Sequence, residues 1–257
     1  MASIDSLQNH LNLSVEQTPN KIQKRKVSET VVNTVDYITI PHLSNNSLNV
    51  TYKAVVKLSD VYGVDPSRVI PHIAARSVMS KAELTRQLNN FADIGVSQLL
   101  VVGGNPSQAK GPYSRDDDVR ERAREFGNRF RIHCGVYPDS DSVVDVLMNK
   151  YLRFDGGFSQ LCLSPKKLKQ FRPFTRYGIP SKADWDGLYR YMKLCGVAPS
   201  IRYPARNIFG GIRFMNRNGF DTTRFVSNLR PHSNFHIYDF GRIEETVEEL
   251  VSTYGSN

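Results

Sequence analysis

The sequence predicts a single (β/α)8 TIM barrel spanning residues 1–257. Short apolar segments, several of them continuous runs, alternate along the chain with helical patterns, as is typical of parallel strands covered by helices. The length of 257 residues suits one barrel, and a hydrophobic content of 40% suffices for a large core. The eight predicted strands are Leu11–Val15, Tyr37–Ile40, Val69–Ala74, Gln98–Val102, Arg131–Val136, Phe158–Leu163, Val197–Arg202 and Phe235–Tyr238.

Helical patterns fill most of the intervals between these strands. Ser80 and Glu83 have the spacing of a capping box, and Gly95 ends the pattern that follows them. The other predicted helices are Thr51–Tyr62, Asp116–Phe126, Ser181–Leu194 and Arg242–Thr253. Two basic segments, residues 164–180 and 202–219, are predicted as loops after the sixth and seventh strands.

Several classes of protein are excluded by simple sequence features. No apolar run approaches the roughly 18–20 residues of a membrane span, and the first ten residues lack the pattern of a secretory signal. Cys134, Cys162 and Cys195 lie far apart without CxxC pairing, which indicates reduced thiols in a cytoplasmic protein. His72 and His133 do not combine with Cys162 in any compact zinc spacing, so no metal site is predicted.

The formal charge of +9 calls for an anionic partner or a solvated surface. Lysine and arginine are dispersed and no nucleic-acid-binding motif occurs, so nucleic acid is not the expected partner. Anionic small molecules such as dinucleotides or polyglutamylated cofactors fit the charge equally well.

The order of the strand-end motifs carries a family resemblance over almost the whole chain. SVEQTP at Glu16 resembles the S-x-E-x-x-P motif that opens methylenetetrahydrofolate reductases. VDYITIPHLSNN, VIPHIAARSVMSKAELTRQLNNFADIGVSQLLVVGGN, FRIHCGVYPDSD, FDGGFSQLCLS and NFHIYDFGRIEET resemble later segments of that family in the same order. The resemblance implies hydride transfer from a nicotinamide to methylenetetrahydrofolate, with FAD bound in the mouth of the barrel.

On the substrate side, the resemblance implies roles for three residues. Glu16 corresponds to the acid that helps to open the imidazolidine ring, a role that needs a carboxyl group protonated at working pH. Gln160 corresponds to the glutamine that contacts the pterin, and Arg242 to a basic residue near the folate. From the residues alone, Glu16 could instead cap a helix or pair with a lysine, Gln160 could bond to backbone and Arg242 could face solvent.

On the cofactor side, His72, Tyr113 and Tyr137 correspond to family residues near the flavin, although each could equally be a packing residue. Gly103, Gly104 and Asn105 replace the family's Arg-Gly-Asp. Asn105 keeps the hydrogen-bonding capacity of the catalytic aspartate without its charge, and the two glycines allow close approach of a ligand.

The changes fall mostly on the flavin side, with Pro41 in place of a flavin-contacting threonine. FAD is therefore one expectation, and direct reduction of the folate by NADH or NADPH is the other. The expected substrate is a tetrahydrofolate, including its polyglutamylated forms, and methionine biosynthesis follows by family analogy. Two alternatives stay open: a folate-dependent one-carbon transferase, and a non-catalytic protein that binds nucleic acid or another partner.

Overall fold

Eight parallel strands form a closed barrel in the computed structural model, which describes residues 11–43, 46–104, 111–138, 142–150, 152–171, 175–184, 186–187, 213–216, 219–231 and 234–255. The strands are β1 Asn12–Glu16, β2 Tyr37–Ile40, β3 Val69–Ala74, β4 Gln98–Val102, β5 Arg131–Val136, β6 Gly156–Ser159, β7 Thr175–Pro180, β8 Met215–Asn216, β9 Gly219–Phe220 and β10 Asn234–Tyr238. The barrel order is β1-β10-β7-β6-β5-β4-β3-β2, and the short strands β8 and β9 form a separate antiparallel pair. The predicted (β/α)8 barrel is therefore confirmed.

The seventh barrel strand differs from the predicted one. β7 pairs with β6 and β10, so it occupies the place assigned to Val197–Arg202, which lies outside the described residues. The prediction of residues 164–180 as a loop was wrong, because the segment also holds the helix Pro165–Leu168. The sequence of β7 does not read as an apolar strand because Arg176 interrupts it. This residue lies on the inner face, with its guanidinium carbon 4.8 Å from the centre of the Tyr37 ring.

Helices cover the barrel on its outer side. Ser80 caps its helix as predicted, since its hydroxyl accepts from the Glu83 amide. The described helices are Pro19–Gln23, Glu29–Thr34, Leu48–Tyr62, Lys81–Asp93, Asp116–Arg124, Val143–Asp145 with the π-helical turn Val146–Lys150, Pro165–Leu168, Thr222–Ser227 and Ile243–Tyr254. In the part of the chain that the structure describes, no helix has the length and apolar character needed to cross a membrane.

The predicted helix start at Ser181 was also wrong. The Ser181 amide donates to the Tyr238 carbonyl, and its hydroxyl accepts from the Phe240 amide. Lys182 then forms an isolated antiparallel bridge with Arg242. These bonds keep the chain extended beyond β7, and residues 188–194 lie outside the described ranges.

The two faces of the barrel wall have different compositions. Outward side chains such as Val15, Ile38 and Ile237 pack with the helices in one large hydrophobic core. Inward side chains include a small apolar cluster of Ile70, Leu100 and Phe158, together with buried polar residues such as His72, His133 and His236. A polar interior places hydrogen-bonding groups directly below the mouth of the barrel.

Candidate active site at the mouth of the barrel

The register of the strands places Glu16 and His72 in one inward-facing layer. Following the pairs once around the barrel returns to β1 displaced by about eight residues, the shear of TIM barrels. Alternate strands supply the four residues of a layer in such barrels. With Glu16 on β1 the other members are His72 on β3, Gly135 on β5 and Gly178 on β7.

Glu16 is half-buried at the carboxyl end of β1, in register with Thr39 of β2. Burial in the mouth, and secondarily the negative charge of Asp239, raise the pKa of Glu16 from 4.5 to about 7. A carboxyl group with that pKa is protonated in a substantial fraction of molecules at neutral pH. Glu16 can therefore donate a proton at the mouth of the barrel.

Gln160 follows β6 at the same end of the barrel. The backbone amide of Gln160 donates to the Val136 carbonyl at 2.8 Å, and the residue is half-buried. Continuing the β6–β7 register pairs Gln160 with Gly178, so Gln160 lies one layer above Glu16. Around the barrel, β10 and β7 separate the strand that carries Glu16 from the strand that Gln160 follows. Both substrate-side residues from the resemblance thus belong to the same end of the barrel interior.

Tyr238, at the end of β10, fills the space above Gly178. Its hydroxyl donates to the Ser159 carbonyl at 3.1 Å. A Cβ at Gly178 would come within 2.8 Å of the Tyr238 ring and 2.3 Å of the Ser159 carbonyl oxygen. The glycine therefore lets an aromatic ring form part of the wall between Glu16 and Gln160.

His72 is buried in the same layer as Glu16. Burial lowers the pKa of His72 to about 3, so the imidazole is neutral at physiological pH. Its Nε2 is buried and has no hydrogen-bond partner among the described residues. A neutral imidazole edge of this kind can donate to or accept from a bound ligand.

Gly103 and Gly104 follow β4 at the rim. Gly104 has a φ of 77°, in the left-handed region that favours glycine. The Arg76 guanidinium donates to the Gly104 carbonyl at 2.7 Å, and the Arg76 amide donates to Gly103 at 3.1 Å. Arg76 thus brings a cation to the position where the sequence lacks the family's arginine, whereas Asn105 lies outside the described residues.

The two predicted flavin tyrosines occupy different places. Tyr137 follows β5 and folds back over the barrel, because its hydroxyl lies 3.3 Å from where a Cβ would stand on Gly135. Tyr113 is buried in the outer hydrophobic core, and burial raises its pKa while the Arg122 cation opposes that rise. The structure brings Tyr137 to the mouth but places Tyr113 among the covering helices.

Arg242 lies outside the mouth, at the start of the helix Ile243–Tyr254. It is exposed and forms an ion pair with Glu245 at 2.5 Å. Arg242 lines an outer groove of about 540 Å³ together with Gln17, Lys21 and Asp239. Its predicted contact with the folate would require the ligand to extend over the rim into this groove.

Arg76, Tyr238 and Asp239 lie near the mouth and were not predicted as site residues from the sequence. Tyr238 and Asp239 stand at and after the end of the last strand, so the rule that selected Glu16 applies to them equally. Arg76 comes from the turn Ala75–Ser77 after β3, where no motif marked it.

The interior histidines do not form a metal centre. Among the described residues, no three His, Cys, Asp or Glu side chains are grouped to hold an ion. The His133 ring Nε2 shares a hydrogen bond with the Gln98 side-chain amide at 3.0 Å, so this histidine is already partnered inside the barrel. Cys134 and Cys162 are buried cysteines that are not joined in a disulfide.

Comparison with known proteins shows the fold. No protein-family model matches the sequence, and no curated protein sequence is significantly similar to it. Among solved structures, Yersinia pestis dihydropteroate synthase is similar with a TM-score of 0.52 and 10% identity, over 97% of this chain and 93% of that one.

Two further solved structures are similar to the same degree. Orotidine 5′-monophosphate decarboxylase from Methanocaldococcus jannaschii has a TM-score of 0.51 and 10% identity, over 96% of this chain and 99% of that one. A 2,3-dimethylmalate lyase has a TM-score of 0.50 and 12% identity, over 98% of this chain and 87% of that one. At such identities the similarity establishes the TIM barrel and no particular activity.

Proposed function

We propose that this protein is an enzyme that reduces 5,10-methylenetetrahydrofolate to 5-methyltetrahydrofolate with NADH or NADPH. The observation that carries the proposal is the Glu16 carboxyl group, with a pKa of about 7, at the carboxyl end of the barrel. The family resemblance assigns the proton-donating role to the same residue. A general acid is most effective when its pKa lies near the working pH.

In the proposed reaction Glu16 donates a proton to the ring nitrogen that leaves the methylene carbon. The carbon–nitrogen bond breaks and the remaining nitrogen forms an iminium. Hydride from the nicotinamide then adds to the iminium carbon and completes the methyl group. Gln160 offers an amide donor and acceptor to the pterin edge, and Tyr238 forms the wall between it and Glu16.

Two groups on the cofactor side of the mouth support a proposed cofactor that has a ring and phosphate groups. The buried Nε2 of His72 has no hydrogen-bond partner among the described residues and would accept one from a ring edge, and the Arg76 guanidinium beside Gly104 would supply a cation for a phosphate. FAD, when bound, would carry the hydride from the nicotinamide to the folate. Tyr137 and the backbone at Gly103 are the other candidate contacts, and the role of Tyr113 stays a prediction from the resemblance.

Oxidation of NADH by methylenetetrahydrofolate, followed at steady state, tests the proposal. The wild type should oxidise NADH only when the folate is present, and Glu16→Gln should lose about 100-fold or more of that rate. Glu121→Gln is the control, because Glu121 lies on the outer helix Asp116–Arg124 with its side chain 73% exposed. An equal rate in Glu16→Gln and wild type would refute the role of the acid.

A one-carbon transferase on the same scaffold is the second candidate. Pro41 and the Gly103–Gly104 turn favour it, because both replace the family's flavin contacts. A transferase would consume the folate and leave NADH untouched in the same assay. The visible absorbance of the purified protein separates the two routes of reduction, since only bound flavin colours it yellow.

A further inference from the structure

Asp239 follows β10 and is held behind the wall of the barrel. Its side chain is 6% exposed and accepts from Lys21 Nζ at 2.5 Å, and from Gln17 Nε2 at 3.4 Å. Lys21 comes from the helix Pro19–Gln23, which follows β1 directly. The Lys21–Asp239 ion pair therefore joins the ends of the first and last barrel strands.

The pair lies close to Glu16 but does not share its space. Val15 is in register with Ile237, so the residues that follow them, Glu16 and Tyr238, are neighbours and Asp239 is one residue further on. Asp239 and Lys21 line the outer groove, whereas Glu16 does not. Asp239 is thus placed to act on Glu16 electrostatically without touching a ligand in the mouth.

We propose that the Lys21–Asp239 pair is a positioning device that sets how readily Glu16 holds its proton, an inference that rests on the function proposed above. The Asp239 anion favours the protonated form of Glu16, and the Lys21 cation limits that effect. Removing either partner leaves the other charge uncompensated beside Glu16. The two single substitutions must then shift the titration of Glu16 in opposite directions.

The residues in register or in one layer with Glu16 do not produce such a reversal, and neither does Arg242, which lies outside the mouth. His72, from β3, is neutral because burial lowers its pKa to about 3. Thr39, from β2, carries a hydroxyl group with no charge. Arg242, from the start of the last helix, is paired with Glu245 through the guanidinium. A structural role for the ion pair would alter stability but would not predict the sign of a titration shift.

The test is an NMR titration of the Glu16 carboxyl carbon in the full chain labelled at its glutamate carboxylates. Loss of one signal in Glu16→Gln identifies the resonance. Asp239→Asn should lower the midpoint by about one pH unit, since it removes the anion and leaves Lys21. Lys21→Met should raise the midpoint, and the double variant Lys21→Met/Asp239→Asn should fall between the two.

Shifts of opposite sign support the proposal, whereas an unchanged midpoint in both single variants, or shifts of the same sign, overturn it. Asn retains an oxygen that accepts from Gln17 and Lys21, and Met retains most of the lysine stem, so each variant keeps its local packing. The titration needs no substrate. Its result is therefore independent of whether the protein oxidises NADH, and failure of the reductase proposal would be seen separately.

Discussion

The Tyr238 hydroxyl donates a hydrogen bond to the Ser159 carbonyl at 3.1 Å, across the backbone of Gly178. The bond links β10 to β6 over the intervening strand β7. It holds an aromatic ring against a glycine in the wall of the mouth, between the strands that carry Glu16 and Gln160. The tyrosine at position 238 and the glycine at position 178 are thus both needed to form this part of the site.

Gly178→Ala should destabilise the protein by about 1–3 kcal/mol, because the new methyl group would collide with a backbone oxygen and the Tyr238 ring. Denaturant unfolding measures the loss. Gly103→Ala is the control, since the nearest atom to a Cβ there is an Arg76 guanidinium nitrogen at 3.4 Å, at the end of a flexible side chain. Equal stability of the two variants would contradict the packing described for Gly178.

Tyr238→Phe should cost about 1 kcal/mol of stability, because it removes the hydrogen bond and leaves the Ser159 carbonyl without that donor. The ring would lose its anchor in the mouth, so we expect the KM for the proposed folate substrate to rise more than kcat falls. Thermal unfolding and steady-state kinetics of the same preparation measure both effects. A change in kcat alone would argue against a role in shaping the substrate site.

Glu16→Gln should stabilise the protein above pH 7. The pKa of Glu16 is about 7 in the folded state against 4.5 as its ordinary value, so the folded protein binds the extra proton between those values. Stability therefore falls as pH rises through that window, and ionised Glu16 costs about 3 kcal/mol above it.

Unfolding free energies at pH 5 and pH 8 check this expectation. The variant should lose less stability than the wild type between the two values, because glutamine does not titrate. Glu121→Gln, on the solvent-exposed helix surface, should change with pH as the wild type does. Parallel pH dependences for wild type and Glu16→Gln would contradict a raised pKa.

The interior histidines should make the fold sensitive to acid. Burial, followed by the charges of Arg176 and Arg131, lowers the pKa of His133 from 6.5 to about 3. The unfolded state therefore binds more protons between these values, and the stability that neutral His133 provides is lost as pH falls below about 6.5. At pH 4.5 the loss from this one group is about 2–3 kcal/mol.

His133→Gln checks the acid sensitivity, since glutamine does not titrate. The difference in unfolding free energy between pH 7 and pH 4.5 should be smaller in the variant by that amount, whatever its absolute stability. His42 is less suited to the comparison because its Nδ1 accepts a hydrogen bond from the Ala74 amide, and a substitution would remove that bond as well as the titrating group.

The sequence predicted the barrel and the place of Glu16 because both follow from local patterns. Apolar runs define strands, and a polar residue at the end of such a run must lie at the carboxyl rim. β7 was missed because its inner face carries Arg176, stacked over Tyr37 and Phe158, so the apolar run is interrupted. A cation inside a barrel depends on aromatic partners that are distant in sequence.

The position of Tyr113 and the contacts of Asp239 could not be predicted for a related reason. Tyr113 was assigned to the flavin side by the family resemblance, and the structure buries it in the large hydrophobic core, close to the charge of Arg122. Asp239 meets Lys21 across 218 residues of sequence. No pattern of residue types along the chain indicates which strand end will meet which.

That separation has a consequence for biosynthesis. On the ribosome the first strand emerges long before the last one, so for most of translation the Glu16 carboxylate has neither the enclosure nor the neighbouring anion that hold its proton. The raised pKa of Glu16 therefore requires the last strand to be paired with the first.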